Sequence, residues 1–222
     1  MKLEHEKKPH VYVTPEDFEE EYHEEIHLSF LGFTIFDIGH ILMAVILLVF
    51  SCIVRQPSYG LEIAKCITEL IFAALLMTFV DSLSKDTTKD ITAFRKNYSY
   101  AFLCVNASLL VPLSMGIVVV FESLNNSAHV LTLVAAAMSL ASLIVFLVTI
   151  FVPQKNFIWR GLMVSGVILL VAYVPFMVAS TIIEEEDLFL KIMMVIHYTL
   201  PLFPAIIAFT RLTRHSTESV LF

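Results

Sequence analysis

Apolar residues along this chain arrive in six blocks, at about 29–54, 61–83, 99–121, 127–152, 158–183 and 187–211. A bilayer core of roughly 30 Å is crossed by about 20 apolar helical residues, and each block meets that length. Backbone polar groups have no water to bond in hydrocarbon, so blocks of this kind are expected to be α-helical. Polar punctuation separates them: Arg55 to Gly60, Ser84 to Asn97, Glu122 to Ser127, Pro153 to Asn156 and Glu184 to Asp187. Most of these connections are short, which makes successive helices antiparallel neighbours. The expected fold is therefore all-α, a polytopic membrane bundle of about six helices. An acidic segment (1–28) leads into the bundle (29–211), and a short tail (212–222) follows it.

Composition supports lipid as the solvent. Of 222 residues, 58% are hydrophobic and 16% charged, with mean hydropathy +0.81, against about 45–50% and about 25% in ordinary soluble domains. The net charge of -7 lies mostly in residues 16–25 and 184–187, which argues against nucleic acid as a partner. The expected surroundings are the lipid bilayer and other membrane proteins. Residues 1–28 lack the basic and short apolar regions of a secretory signal, so the first block reads as a retained signal-anchor. Cys52, Cys66 and Cys104 show no metal-ligand spacing, and Cys52 and Cys66 are expected to be buried thiols.

Positive charge sets the orientation. With a cytosolic N-terminus, eleven Lys and Arg residues fall on the cytosolic side, and only Arg55, Lys65 and Lys191 on the other. Both termini are then cytosolic. Asn125-Asn126-Ser127 becomes an outer sequon too close to the membrane for efficient glycosylation. Glu62, Glu122 and Glu184 to Asp187 form an acidic outer rim.

Small residues mark the expected seams between helices, because close backbone approach drives packing in lipid. In the fourth block these are Ala128, Thr132, Ala135, Ser139 and Ser142, with Thr149 further along. In the fifth they are Gly161, Ser165, Ala172 and Ala179. Only six glycines occur in the chain, which weighs against a dedicated alternating-access transporter.

Ionisable residues inside the blocks are the candidate chemistry, since each is costly in hydrocarbon. Asp37 and His40 share a helix face and serve either as a proton or cation site or as an internal clasp in which His40 answers Asp37. Lys65 is spaced to bridge Glu62 and Glu69, of which Glu69 lies deepest. Asn106 is a candidate interhelical hydrogen-bond donor. In the last block His197 shares a face with Pro201 and Pro204, which remove the donors to the carbonyls of His197 and Leu200. Pro112 and Pro175 act likewise on Ser108 and Val171, and all four prolines are expected kink points.

His23-Glu24-Glu25-Ile26-His27 matches the HExxH pattern of zinc hydrolases. A third ligand and an enclosing cleft are missing from the sequence context, so His23 and His27 are weak metal candidates and no catalytic residue or cofactor is assigned. Three functions remain, in order of expectation. The first is a non-enzymatic accessory subunit, assembly factor or scaffold for other membrane proteins. The second is a small-solute or cation transporter or channel using Asp37, His40, Glu69 and His197. The third is a zinc-dependent intramembrane enzyme.

Overall fold

A computed structural model describes residues 15–54, 59–86, 91–120, 127–152 and 156–213. Among them the chain is entirely helical: α1 (Pro15–Val54), α2 (Tyr59–Asp86), α3 (Ile91–Val120), α4 (Ser127–Phe151), α5 (Asn156–Glu184), α6 (Leu188–Thr199) and α7 (Leu202–Thr213). Five stretches are long and apolar enough to cross a membrane: Glu24–Ile53, Ile63–Leu83, Ser127–Phe151, Phe157–Glu184 and Leu188–Thr213, the last running through α6 and α7. The 40-residue α1 begins inside the acidic segment, so the same helix carries charged residues and apolar ones. The sequon's Asn125 and Asn126 and the tail beyond Thr213 lie outside the described residues.

The helices close into a ring in chain order. From α1 to α6 each packs on the next, and α7 returns to α1 and α5. At the core sits an aromatic block in which Phe30 and Phe33 of α1 meet Phe94, Tyr98 and Phe102 of α3, and Phe102 stacks on Phe146 of α4 at 4.7 Å. Edge-to-face pairs of this kind add roughly 0.5–1.5 kcal/mol each beyond simple burial. The outward faces carry Leu31, Ile38, Leu42, Val49, Ile71, Leu75, Ile144 and Ile168, all exposed. Exposed aliphatic rows on α1, α2, α4 and α5 are what a lipid environment accommodates.

The small-residue stripe of α4 is buried as its spacing predicts: Ala128, Ala135, Ser139, Ser142 and Thr149 are all inside. Ser142 Oγ donates to the Gly166 carbonyl of α5 (2.8 Å), Ser180 Oγ to the Ala128 carbonyl (2.9 Å), and Thr132 and Ser180 share a hydrogen bond of 2.7 Å. The stripe expected on α5 is not its packed face. Gly161 has open space around it, and Ser165 is exposed and bonds back to Gly161 within its own turn. The contact face of α5 is instead Trp159, Met163, Val167, Leu170, Tyr173 and Met177, large side chains filling the ring, with Gly166 against the Phe146 ring.

The last apolar block is two helices rather than one. Pro201 stands at the break, Pro204 is buried in the first turn of α7, and the backbone turns at Leu200–Pro201. The carbonyls expected to seek an outside donor are satisfied locally: His197 accepts from the Leu200 amide (3.3 Å) and Leu200 from the Phe203 amide (3.1 Å). Such i→i+3 bonds tighten a helix end where i→i+4 bonds are lost. At the other end of α6, Asp187 caps the helix by accepting from the Leu190 amide at 2.9 Å. Pro175 lies inside α5, and Pro112 lies within α3 with its side chain outside the described residues.

Two glycines of α1 hold this break in place. A Cβ on Gly32 would lie 2.7 Å from the Pro204 Cα, and one on Gly39 would lie 2.7 Å from Leu200 Cδ2. Spaced seven apart, they present one groove of α1 to the broken helix.

Candidate functional site

Three buried ionisable side chains from three helices meet inside the ring. His40 comes from the middle of α1, Glu69 from the first half of α2 and His197 from the last turn of α6. Their exposures are 1%, 2% and 5%. Glu69 Oε2 lies 3.4 Å from His197 Nε2 and 3.9 Å from His40 Nε2. One donor atom from each of the three lies within 4.8 Å of the others, the one group of such potential metal ligands among the described residues.

Local structure fixes each member. The Gly39–Leu200 contact sits beside His40 and draws the end of α6 against α1, so that the His40 and His197 rings meet edge to face at 4.7 Å. Phe36, one turn earlier on α1, packs on His40 at 5.1 Å. Glu69 reaches inward from α2, and Lys65 acts on its charge from one turn away. Tyr198 adjoins His197 at 5.4 Å, and Tyr173 of α5 is buried. Neither ring nitrogen of His40 has a hydrogen-bond partner, nor does His197 Nδ1. Buried polar atoms of this kind are uncommon in folded proteins and call for an occupant or a task.

The remaining sequence candidates sit elsewhere. Asp37 is fully buried, yet neither of its carboxylate oxygens has a hydrogen-bond partner. The expected Asp37–His40 clasp is therefore absent: His40 turns to Glu69 and His197 across the helix interface. Asn106 was expected to bond between helices, but Nδ2 donates to the Phe102 carbonyl of its own helix at 2.9 Å. Of the expected buried thiols, Cys66 is buried and Cys52 is exposed.

In the HExxH segment His27 is exposed, the His23 side chain lies outside the described residues, and Glu25 is engaged by Arg211 of α7 in an ion pair. At the opposite end of the ring His129 faces Glu184 at 3.6 Å. Between α2 and α3 an apolar groove of about 540 Å³ is lined by Phe72, Leu75, Phe79 and Cys104.

Two histidines and a carboxylate can bind a divalent cation, share a proton, or pass one on. Sequence reading found all three as individual polar intrusions but missed Phe36, Tyr173 and Tyr198 around them. Those three are aromatic residues in apolar runs, and nothing in such runs separates a site wall from ordinary core. No family model, curated protein or solved structure matches the chain.

Proposed function

We propose that this protein is a six-span membrane protein, with both termini cytosolic, that binds a cation in the bilayer interior and carries it across. One observation supports the reading: His40, Glu69 and His197 converge from three helices into a single buried cluster. Packing alone does not call for two imidazoles and a carboxylate facing one another in hydrocarbon, where each ionisable side chain costs several kcal/mol. Aliphatic residues of similar volume would pack at lower cost. The sixth crossing in this reading is α3, which is 30 residues long and packs between α2 and α4.

Two further features suit transport. The helix bearing His197 is broken three residues later, at Leu200–Pro201, and discontinuous helices beside a mid-membrane site are a recurring device for releasing bound ions. The aromatic block of Phe30, Phe33, Phe94, Tyr98 and Phe102 occupies the end of the ring that also holds the Glu25–Arg211 pair, closing the cytosolic approach. Glycine, though scarce, is spent where helices cross most closely, at Gly32, Gly39 and Gly166.

The accessory-subunit reading draws less from the geometry. The small-residue seam of α4, the surface best suited to receive a partner helix, is occupied by α5 of the same chain through three side-chain hydrogen bonds.

Purified protein in sealed liposomes, with separate gradients of protons, monovalent and divalent cations, tests the proposal. Wild-type protein is expected to dissipate at least one gradient, and Glu69→Gln to lower that flux by at least about tenfold, since loss of the charge removes roughly 1.4 kcal/mol or more of ion stabilisation. A wild-type protein that moves no cation would refute it.

A further inference from the structure

We infer that His40, Glu69 and His197 form an exchangeable three-ligand site for a divalent first-row transition ion of the zinc class. The inference rests on the proposed function and names the cation. Donor chemistry comes first. Sodium, potassium, magnesium and calcium sites are built from oxygen donors, whereas two imidazole nitrogens and one carboxylate oxygen suit zinc, cobalt, nickel or ferrous iron. Geometry agrees. Ligand distances of about 2.0–2.1 Å around a tetrahedral ion set donor–donor separations of about 3.3–3.4 Å. The His197–Glu69 separation is 3.4 Å and the His40–Glu69 separation 3.9 Å, so small side-chain rotations complete the set. An ion would also give His40 Nε2, now without a hydrogen-bond partner in a nearly fully buried side chain, the contact it lacks.

The same site is not built to hold an ion permanently. Structural zinc sites use four protein ligands, and their histidines are locked by a carboxylate or carbonyl on the second nitrogen. Here three ligands converge and the Nδ1 atoms of both histidines lack a protein partner. The fourth position is open to water or to the ion's next ligand. His197 belongs to the last turn before the Leu200–Pro201 break, so occupancy ties α1 and α2 to the end of a discontinuous helix. Loose second-shell support and a ligand at a discontinuity both favour release, which is what a transported ion requires.

The test is a titration of full-length, detergent-purified, chelator-stripped protein with Co²⁺, whose visible absorption reports low-coordinate nitrogen and oxygen ligation. Wild-type protein is expected to bind one Co²⁺ per chain, to yield it to Zn²⁺ but not to Mg²⁺ or Ca²⁺, and to melt at a higher temperature with Zn²⁺ present. Glu69→Gln and His197→Ala are each expected to weaken binding by more than the roughly 10–100-fold typical of losing an outer-shell partner. The double variant His23→Ala with His27→Ala is expected to leave stoichiometry and spectrum unchanged.

No stoichiometric Co²⁺ signal from wild-type protein, which needs no variant to fold, overturns the inference. Binding that survives Glu69→Gln and disappears in the His23/His27 variant also overturns it, by assigning the ion to the N-terminal segment. The two proposals fail separately. Proton flux with no metal bound leaves a cation carrier and removes the zinc-class site, whereas metal bound without flux of any cation leaves the site and removes transport.

Discussion

A carboxylate as deeply buried as Glu69 persists in an apolar ring only where neighbouring groups answer its charge, and here they are two imidazoles and the Lys65 ammonium one turn away. Asp37 is the contrasting case: fully buried, with no hydrogen-bond partner for either oxygen. Unsatisfied buried polar groups cost about 1–3 kcal/mol. Asp37→Leu, of similar size, is therefore expected to raise stability by about that amount in reversible unfolding in detergent. A loss of stability would contradict the reading of Asp37 as an uncompensated buried carboxyl.

Sequence reading singled out His40, Glu69 and His197 because charge in an apolar run is conspicuous. It could not say that they meet, because they lie on helices far apart in the chain, and it paired His40 with Asp37 because helical spacing alone made them neighbours. Spacing fixes which residues share a face, and only the neighbouring helices decide where on that face an imidazole turns.

Among the helices, glycine marks where two backbones touch only when a neighbour is present. Gly32 and Gly161 form a matched pair, the first pressed against the Pro204 backbone and the second facing open space. Gly32→Leu is expected to lower stability by about 1–3 kcal/mol through overpacking, while Gly161→Leu changes it little or raises it slightly through better helix propensity. Thermal denaturation of both variants side by side checks this, and equal effects would refute the packing of α1 on α7.

The α4 seam was legible in the sequence because its small residues alternate in steps of three and four along one face. The α5 seam was misread, because Gly161 and Ser165 followed similar spacing while the buried face was made of Trp159, Met163 and Tyr173. Small residues permit close approach without compelling it, and in α5 bulk rather than smallness fills the ring. The break in the last block was signalled by Pro201, but the local rescue of the His197 and Leu200 carbonyls depends on backbone geometry that sequence does not encode directly.

For the whole molecule, the order of apolar blocks and short connections was enough to anticipate an all-helical bundle of antiparallel neighbours, while its closure through α7 onto α1 and α5 was not legible. Helices α1, α2, α4 and α5 expose aliphatic rows, while Asp37, His40, Glu69 and His197 are buried, the distribution expected of a chain dissolved in lipid. Function was less legible, because a polar residue in a span reads the same whether it locks helices or holds an ion. The distinction is made by convergence, a property of the assembled ring.

The convergence of α1, α2 and α6 on one point is thus the claim on which transport and ion identity both depend, and cross-linking in native membranes tests it most directly. In a background carrying Cys52→Ser, Cys66→Ser and Cys104→Ser, the pair His40→Cys and His197→Cys is treated with a short bifunctional thiol reagent and the digested protein is analysed by mass spectrometry. The account predicts a single peptide pair bridged between α1 and α6. Two thiols modified separately, with no bridge between them, would contradict it.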